Sequence, residues 1–489
     1  MKSALLRLED LLNKVFTPRY NPLYHLGAIA VFFMWVLLAS GLYLFIFYKI
    51  GLPYESVSAI TERQFHIGNI FRGVHRYAGD AMILFTILHL VREFIKGRFR
   101  HSRWLPWASG GVTLLVIWVT GVIGYWMVWD ERSQLIAELS SKLLDYLPIF
   151  GESLSMAFTT SNLITNLFFF IALFLHLTLP ILLLILLWLH VMRVSKPCIH
   201  PPRLTAAAVA AALIMLSIAR PVTMAAAANA GRVVSSTGID WFFLSFYPVL
   251  NAAPAWAAWA ILVPCAAILI LTPWIPPLKR PPAAQIIRDN CTGCGQCYED
   301  CPYAAIFMKQ RKDGSPYESE AVVIPGRCAS CGICVGSCDF DAVGFPLSID
   351  RGVIKGLIGE IKEEEGPPVI CIMCSRVEGR DKIAGIPGVR VLTLPCTGMT
   401  RPSWIENALD EGAAGVLIRG CETGDCHNRT GNKWIYGRTS GSRQPLLRND
   451  ARPKALLYLT SNASREDLLE AVRKLRGDVK PGNLPEASL

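Results

Sequence analysis

The sequence places four histidines inside two long apolar segments at a repeated spacing. His75 and His89 lie fourteen residues apart in the first segment. His176 and His190 have the same separation in the second. In an α-helix with 3.6 residues per turn, fourteen positions return a side chain to nearly the same face, about 21 Å further along. A buried imidazole in a membrane helix is costly without a partner, so two matched pairs indicate a function. The alternative is four unrelated core histidines.

Two such helices packed side by side would present facing imidazoles at two depths, and each pair could ligate one haem iron from both sides. Glycines in two other apolar segments repeat the same interval. Gly27 and Gly41 are fourteen residues apart in one of them, and Gly110 and Gly124 are equally far apart in the other. A missing side chain lets a flat macrocycle approach the helix. Ordinary small-residue helix packing is the alternative explanation.

The 489-residue chain is 52% hydrophobic and contains several apolar runs that are long enough to cross a bilayer. We therefore expect a multi-pass membrane protein with soluble domains attached. The apolar runs predict six transmembrane helices, at about residues 24–48, 74–94, 105–129, 163–194, 204–224 and 255–274. We expect no cleavable signal peptide, because the first run is too long and lacks a small-residue cleavage site.

Basic residues collect beside these predicted spans, in residues 92–103, 193–203 and 279–280. Under the positive-inside rule all three segments lie on the cytoplasmic side of a prokaryotic cytoplasmic membrane, with both termini and the soluble domains. The net charge of +10 therefore does not indicate nucleic-acid binding. Residues 1–16 carry leucines on one helical side, which predicts a helix lying on membrane lipid, with an ordinary soluble helix as the alternative.

Residues 20–200 resemble the cytochrome b of the bc-type quinol-oxidising complexes, including the photosynthetic branch, and the likeness continues to about residue 275. It is carried by the paired histidines and glycines and by Arg-Gly-Val-His-Arg at 72–76, Gly-Tyr-Trp-Met-Val-Trp-Asp at 124–130 and His-Leu-Thr-Leu-Pro at 176–180. The resemblance implies two haem b groups. His75 and His176 would bind the haem nearer the outer face, and His89 and His190 would bind the haem nearer the cytoplasm.

The same resemblance implies further site residues. Arg72 would pair with a haem propionate through two hydrogen bonds, and an ordinary interfacial arginine is the alternative. Residues 239–244 (Ile-Asp-Trp-Phe-Phe-Leu) are similar to the family's Pro-Glu-Trp-Tyr segment at the outer quinol site, where the Glu takes part in proton removal. Asp240 and Trp241 would then be catalytic. His25 stands where the photosynthetic branch has a haem-attaching Cys, and it could ligate a haem, bind a quinone oxygen or sit at the interface.

Thirteen of the fifteen cysteines follow residue 290, in clusters whose short spacing indicates metal ligation instead of disulfides. Residues 291–301 and 328–338 share the spacing C-x2-C-x2-C-x3-C. Three thiolates of such a loop hold one 4Fe–4S cluster and the fourth reaches the other cluster, with zinc as the alternative. The predicted ligand sets are Cys291, Cys294, Cys297 and Cys338, and Cys328, Cys331, Cys334 and Cys301. Residues 283–348 resemble the bacterial two-cluster ferredoxins.

From about residue 367 the pattern becomes α/β, with strands predicted from residues 369, 389 and 415 and a helix at 404–411. Five cysteines at or beyond strand ends favour a metal cluster at the carboxyl edge of a sheet: Cys371, Cys374, Cys396, Cys421 and Cys426. Residues 367–475 resemble the delta subunit of the methyl-viologen-reducing hydrogenases, which implies a 2Fe–2S cluster and docking to a heterodisulfide-reductase-like flavoprotein or a similar partner. Five cysteines compete for four ligand positions, and His427 is a further alternative.

The expected fold is multi-domain: an all-α transmembrane bundle of six helices at residues 1–278, a small α+β ferredoxin-like domain at 283–350, an α/β iron–sulfur domain at 367–475 and a tail at 476–489. The sequence shows no Rossmann or P-loop motif, so two-electron chemistry would occur at a quinone and at a docked partner. We therefore expect a membrane electron-transfer subunit of a hetero-oligomeric, quinone-linked oxidoreductase, with a dimeric assembly as one alternative. The partner would be a heterodisulfide-reductase-like enzyme, a hydrogenase, or a formate or other dehydrogenase.

Two other functions stay open. In the first, Asp240 helps to oxidise quinol at the outer face, so that one electron goes inward and the other goes to an acceptor on another subunit. In the second, the protein is a membrane anchor and electron carrier without quinone sites, because Ile239, Phe242 and Val128 depart from the family pattern. The sequence leaves open the direction of electron flow and the type of quinone.

Overall fold

The computed structural model describes residues 2–64, 66–147, 166–229, 240–276, 279, 281–347, 349–361, 365–460 and 463–477. The chain divides into two compact units. One comprises His25–Met192 and Pro197–Leu278, and it is called the helical unit below. The other comprises Met1–Tyr24, Arg193–Lys196 and Lys279–Leu489, and it is called the cysteine unit. Two short earlier segments thus group with the cysteine unit.

The first helix, α1 (Lys2–Tyr20), belongs to the cysteine unit. It bends near its end, where Thr17 has a φ of 60° and Pro18 lacks a backbone N–H. Leu8, Val15 and Phe16 are exposed on it. The helix thus forms where the sequence predicts one, while its placement on lipid stays a prediction.

The helical unit consists of nine helices within its described residues. They are α2 (Leu26–Phe47), α3 (Pro53–Glu62), α4 (Ile67–Ile95), α5 (Trp104–Trp126), α6 (Glu131–Asp145), α7 (Asn166–Val191), α8 (Arg203–Ala219), α9 (Tyr247–Ala252) and α10 (Ala255–Leu271). α2 packs along α4, and α5 packs along α7. Ala78 and Ile83 of α4 are fully buried in the shared core, which holds that helix in the middle of the bundle.

Four helices of the described part are long and apolar enough to cross a membrane: Leu26–Phe47, His101–Trp126, Asn166–Val191 and Ala255–Trp274. α4 has 29 residues, which corresponds to about 43 Å, but Arg76 and Asp80 make its sequence more polar. α8 is apolar and has 17 residues, which is at the lower limit of the length that spans a bilayer. Length and composition therefore support four of the six predicted spans. The predicted start of the fourth span, residues 163–165, lies outside the described residues.

The ferredoxin-like part of the cysteine unit has two antiparallel strand pairs and two short helices. Its elements are β1 (Gln285–Ile286), α11 (Gln296–Asp300), β2 (Ile306–Gln310), β3 (Ser319–Val323), α12 (Ile333–Gly336) and β4 (Val343–Gly344). β1 pairs with β4, and β2 pairs with β3. Gly295 and Gly332 both have a φ near +75° and stand directly before α11 and α12. The two cysteine motifs therefore repeat the same local turn, which L-residues with a side chain adopt rarely.

The C-terminal part contains a four-stranded parallel sheet in the order β6-β5-β7-β8. Its elements are α13 (Arg351–Gly359), β5 (Val369–Cys374), α14 (Arg380–Ala384), β6 (Val389–Leu394), α15 (Pro402–Asp410), β7 (Gly415–Gly420), α16 (Gly431–Ser440), β8 (Ala455–Leu459) and α17 (Arg465–Arg476). Buried residues of α14 and α17 pack on one sheet face, and those of α15 and α16 pack on the other. The three predicted strands and the predicted helix are present, and β8 is an additional strand.

Candidate redox sites

The four histidines of the helical unit form two facing pairs between α4 and α7. The ring centroids of His75 and His176 are 6.3 Å apart, with an angle of 57° between the ring planes. Those of His89 and His190 are 6.4 Å apart, with an angle of 66°. The repeated spacing therefore brings corresponding positions of two helices together at two levels, which is the geometry that the sequence predicts.

The separation within each pair fits one metal ion held by both rings. Metal–imidazole bonds are about 2.0–2.1 Å long, and two such bonds plus the distance from each ring nitrogen to its ring centre account for the observed spacing. A direct hydrogen bond between the imidazoles would draw the ring centres closer together. The donor set and the spacing thus fit a haem iron with one histidine on each side.

Hydrogen bonds to Nδ1 orient three of the four rings. Ser40 Oγ lies 3.0 Å from His75 Nδ1, and Ser109 Oγ lies 3.3 Å from His190 Nδ1. Both serine hydroxyls donate their own proton to a backbone carbonyl of the preceding turn, so the ring nitrogen is the donor in each contact. The proton then resides on Nδ1, and Nε2 keeps its lone pair for a metal.

His176 has the same tautomer for a different reason. Its Nδ1 lies 3.0 Å from the backbone oxygen of Thr120, and a carbonyl oxygen can only accept. The sequence reasoning did not single out any of these hydrogen-bond partners. A signal was present, since the dipeptide Ser-Gly occurs at residues 40–41 and again at 109–110, each time beside a predicted haem-layer glycine.

Each of the four glycines faces a different histidine. A Cβ added at these positions would come within 3.0–3.3 Å of an imidazole carbon, which is tighter than most real Cβ contacts. The pairs are Gly27 with His89, Gly41 with His75, Gly110 with His190 and Gly124 with His176. The glycines of α2 and α5 therefore leave space for the rings that α4 and α7 project.

Arg72 contacts the chain after α8, and His25 lies at the start of α2. Arg72 donates hydrogen bonds to the Thr61 hydroxyl at 2.9 Å and to the backbone oxygens of Val222 and Thr223 at 3.2 and 3.5 Å. Its guanidinium thus holds the chain that follows α8. His25 precedes α2 and stands two residues before Gly27, the glycine that faces His89.

Asp240 is buried and lies in a dense hydrogen-bond network, whereas Trp241 is about half exposed. The Asp240 carboxylate accepts hydrogen bonds from the Tyr125 hydroxyl at 2.6 Å, from the backbone N–H groups of Phe242 and Phe243, and from the Arg76 guanidinium. Burial alone would raise the pKa of the Asp240 carboxyl, but these hydrogen bonds and the arginine charge together lower it. The neighbouring Ile239 lies outside the described residues.

Two cavities of the ferredoxin-like part each collect four cysteines. Cavity A is lined by Cys301, Cys328, Cys331 and Cys334. Cavity B is lined by Cys291, Cys294, Cys297 and Cys338. Each cavity combines three cysteines of one motif with the fourth of the other, as the sequence predicts.

Backbone amides point at several of these sulfurs. The Ala305 N–H donates to Cys301 Sγ and the Ala342 N–H donates to Cys338 Sγ, both at 3.3 Å. Such donors stabilise a thiolate. Burial raises the pKa of Cys297 to about 12, so this thiol stays protonated at neutral pH unless a metal replaces the proton.

Four cysteines meet at the carboxyl edge of the parallel sheet, and they are called the four-cysteine group below. Cys374 ends β5 and its sulfur lies 3.8 Å from that of Cys421, which directly follows β7. Cys426 lies beside both Cys421 and Cys396. A Cβ at Gly431 would lie 2.3 Å from the Cys396 sulfur and 3.4 Å from that of Cys426, so only glycine fits beside them.

Cys371 lies apart from this group. It stands within β5, three positions before Cys374, and successive residues of a strand alternate between its two faces. Its side chain is fully buried in the core that α14 and α17 cover, near Arg419. Burial raises the pKa of its thiol to about 12. The backbone N–H of His427 hydrogen-bonds to Cys421, so that residue contacts the group through its main chain.

Comparison with known proteins matches three family profiles to three consecutive parts of the chain. Residues 11–197 match "Cytochrome b/b6/petB", residues 290–342 match "4Fe-4S dicluster domain", and residues 370–480 match "Methyl-viologen-reducing hydrogenase, delta subunit". Cytochrome b6 of Synechococcus elongatus is 30% identical over 148 residues, which is 30% of this chain and 68% of that protein. The chain belongs to the cytochrome b family.

Another cytochrome b6 matches a similar share of the chain. Cytochrome b6 of Prochlorococcus marinus is 31% identical over 147 residues, covering 29% of this chain and 66% of that protein. A solved chain titled "Hyperthermophilic respiratory Complex III" aligns over 56% of this cytochrome b and 82% of that chain, with 18% identity and a TM-score of 0.44. The predicted fusion of three parts is confirmed. This cytochrome b is a multi-pass membrane protein that serves as an electron-transfer subunit, and its families imply haem b and 4Fe–4S clusters.

Proposed function

We propose that this subunit passes electrons between a cytoplasmic redox enzyme and the quinone pool. The observation that carries the proposal is the pair of histidine sites, each with a ring separation that suits one iron, in a chain that continues into two four-cysteine cavities. Bound haems and iron–sulfur clusters would supply one-electron transfer. The chain contributes their ligands, the protonation state of those ligands and the exclusion of water.

We assign the ligands on the geometry above. His75 with His176, and His89 with His190, would hold one haem b each. Cavities A and B would hold one 4Fe–4S cluster each. The Nδ1 hydrogen bonds fix three histidine tautomers before any metal binds, so little reorganisation accompanies binding.

The four-cysteine group would hold the C-terminal cluster, for which 2Fe–2S is the expected type. Cys374, Cys396, Cys421 and Cys426 share one edge of the sheet, and contacts link each of them to at least one other member. Cys371 lies on the opposite face of β5 from Cys374, so we propose that it is the fifth cysteine that binds no iron. A partner enzyme of the heterodisulfide-reductase-like type would dock at this part of the chain and supply or accept electron pairs.

Bifurcating quinol oxidation at an outer Asp240 site receives less support from the structure. A proton acceptor needs a free lone pair and a pKa near the working pH. The Asp240 carboxylate accepts four hydrogen bonds or ionic contacts, and these contacts lower its pKa. They also tie the loop before α9 to α4 and α5, so we propose that Asp240 stabilises the bundle.

The test is gentle purification of the subunit with its companions, followed by haem spectra during addition of a reduced quinone analogue. We expect the quinone analogue to reduce haem in the wild type. His89→Ala should abolish one haem signal, while the neighbouring Leu88→Ala, whose side chain is partly exposed, should keep both. Intact spectra of both haems in His89→Ala would contradict the ligand assignment. Two haems that no quinone reduces or oxidises would instead favour a membrane anchor and electron carrier without quinone sites.

A further inference from the structure

We infer that cavity A, and not cavity B, is the 4Fe–4S site next to the four-cysteine group, and that Arg438 fixes this junction. The inference rests on the proposed function and gives the order of its iron–sulfur centres. Electrons would pass between the four-cysteine group and cavity A first, and cavity B would lie beyond cavity A.

The first support is direct packing between the walls of the two sites. Gly332 lines cavity A, and a Cβ there would lie 2.5 Å from the sulfur of Met399, three residues after Cys396. Ile333 lines the same cavity, and its Cγ1 is 3.0 Å from the position of a Cβ on Gly398. The loop that follows Cys396 therefore rests on the wall of cavity A with no room for an intervening layer.

Glycine contacts extend this packing to the sulfurs themselves. A Cβ on Gly398 would lie 2.8 Å from the Cα of Gly431. Gly431 in turn stands directly against the sulfurs of Cys396 and Cys426. Only Gly431 and Gly398, which contact each other, therefore lie between the Cys396 sulfur and Ile333. Electron transfer weakens steeply with distance, so the lack of side chains here favours this route.

A hydrogen bond joins the same two sites on a second path. Tyr303 lines cavity A and donates its hydroxyl proton to Asn428 Oδ1 at 2.9 Å, and both side chains are buried. Asn428 stands two residues after Cys426. The loop after β6 carries Cys396, and the loop after β7 carries Cys421 and Cys426. Both loops therefore contact residues of cavity A.

Arg438 holds three cysteine-bearing segments with one fully buried guanidinium. It donates to Asp300 Oδ2 at 3.1 Å and to Ser337 Oγ at 2.7 Å. Asp300 directly precedes Cys301 and Ser337 directly precedes Cys338, so the two partners occupy the same position in the two motifs. The third bond goes to the backbone oxygen of Gly398 at 2.7 Å.

Asp300 explains why this cation can be buried. It is fully buried as well, and Arg443 and Arg438 engage its two carboxylate oxygens separately. Trp434 donates its indole N–H to the Asp300 backbone oxygen at 3.0 Å. A buried ion pair of this kind adds little net stability, whereas removal of one partner is strongly destabilising because it leaves the other charge buried. Arg438 is therefore a positioning residue that holds the loop after Cys396 against both motifs, through Asp300 beside the cavity A ligand Cys301 and through Ser337 in the lining of cavity B.

The experiment compares two matched variants of the full-length protein in its complex, reduced with dithionite. Cys331→Ala removes a ligand of cavity A, and Cys294→Ala removes the ligand at the equivalent position of cavity B. The readout is the microwave power saturation of the C-terminal cluster's paramagnetic signal, because a nearby reduced cluster speeds its relaxation. We expect the relaxation enhancement to be lost in Cys331→Ala and to persist in Cys294→Ala. If Cys331→Ala loses both 4Fe–4S clusters, Cys328→Ala repeats the comparison at a partly exposed ligand.

Arg438→Met tests the positioning role, with Arg448→Met as the control because Arg448 is exposed and pairs with Asp410. We expect Arg438→Met to weaken the relaxation enhancement without changing the type of paramagnetic signal that the C-terminal cluster gives. Arg438→Lys should restore part of the enhancement, and Arg448→Met should match the wild type. If Arg438→Met fails to fold, Asp300→Asn removes the charge at constant size and should give the same weakening. Loss of the enhancement in Cys294→Ala alone would overturn the order of centres. Wild-type saturation in Arg438→Met would overturn the positioning role. A wild type without any C-terminal cluster signal would instead contradict the proposed function.

Discussion

Alanine at Gly124 should release the haem of the His75–His176 pair and spare the other haem. The added Cβ would lie 3.0 Å from Cε1 of His176, whereas ordinary van der Waals contact begins near 3.4 Å. The ring must therefore withdraw by a few tenths of an ångström. It cannot do so freely, because its Nδ1 is hydrogen-bonded to the Thr120 carbonyl at 3.0 Å. The extra methyl group thus pushes the His176 ring away from the position in which it would ligate iron.

The size of the effect follows from the cost of overpacking a buried site. An extra methylene in a packed core costs about 1–3 kcal/mol. At 1.4 kcal/mol for each tenfold change, this corresponds to roughly 5- to 150-fold weaker retention of that haem. Gly79→Ala is the matched control, because Gly79 also lies inside a helix of the bundle and a Cβ there meets nothing within 4 Å.

The assay measures haem per polypeptide after detergent purification by the pyridine haemochrome method, and the rate of haem loss on dilution. Gly124→Ala should hold about half the haem of Gly79→Ala, with one component missing from the redox titration. Gly110→Ala should remove the other component, since Gly110 faces His190 at 3.1 Å. Two full haems with wild-type loss rates in Gly124→Ala would refute the reasoning that the glycines make room for the ligated rings.

Three further predictions concern the cysteine unit and the loop that carries Asp240. Cys396→Ala should abolish the C-terminal cluster signal while Cys371→Ala keeps it, as measured by electron paramagnetic resonance and iron content; equal loss in both would contradict the four-member group. Gly431→Ala should also lose that cluster, because its Cβ would lie 2.3 Å from a cysteine sulfur, whereas Gly356→Ala, with open space around it, should not. Asp240→Asn should lower the free energy of unfolding by about 1.5–3 kcal/mol, the value of a hydrogen bond to a charged group, in a thermal unfolding assay. Its quinone-linked haem reduction should stay at the wild-type rate, and lost turnover at unchanged stability would favour the bifurcating alternative.

The histidine pairs could be predicted from the sequence because a single periodicity governs them. Fourteen residues fix both the face and the height on a helix, so two helices with the same spacing present matching positions. Which atoms orient the rings could not be read in the same way. Ser40 and Ser109 lie on helices other than those of their histidine partners, and only the packing of α2 on α4 and of α5 on α7 brings them together.

For the C-terminal cysteines, the sequence predicts where the site lies but not which of the five cysteines form it. Their placement at strand ends was enough to predict a site at the carboxyl edge, and the parallel sheet has that edge. The choice among five cysteines was not accessible, because Cys371 and Cys374 stand only three residues apart in a C-x2-C pattern that usually indicates joint ligation. The alternation of side chains along β5 decides the matter, since it places Cys371 and Cys374 on opposite faces of the strand.

Asp240 illustrates how a motif can keep a charge and change its use. A carboxylate at the outer quinol site of the family serves as a proton acceptor only while it is free to move and to titrate. Here the carboxylate is fixed from three directions, by Tyr125 on α5, by Arg76 on α4 and by the backbone of its own loop. Any motion of the carboxylate toward a substrate would break its contacts with Tyr125 and Arg76, although Arg76 would keep its ion pair with Asp80 at 2.7 Å. The same network that makes the loop stable therefore makes Asp240 a poor base. Under the proposed function, electron pairs would then be exchanged at a quinone site elsewhere in the helical unit and at the partner of the cysteine unit.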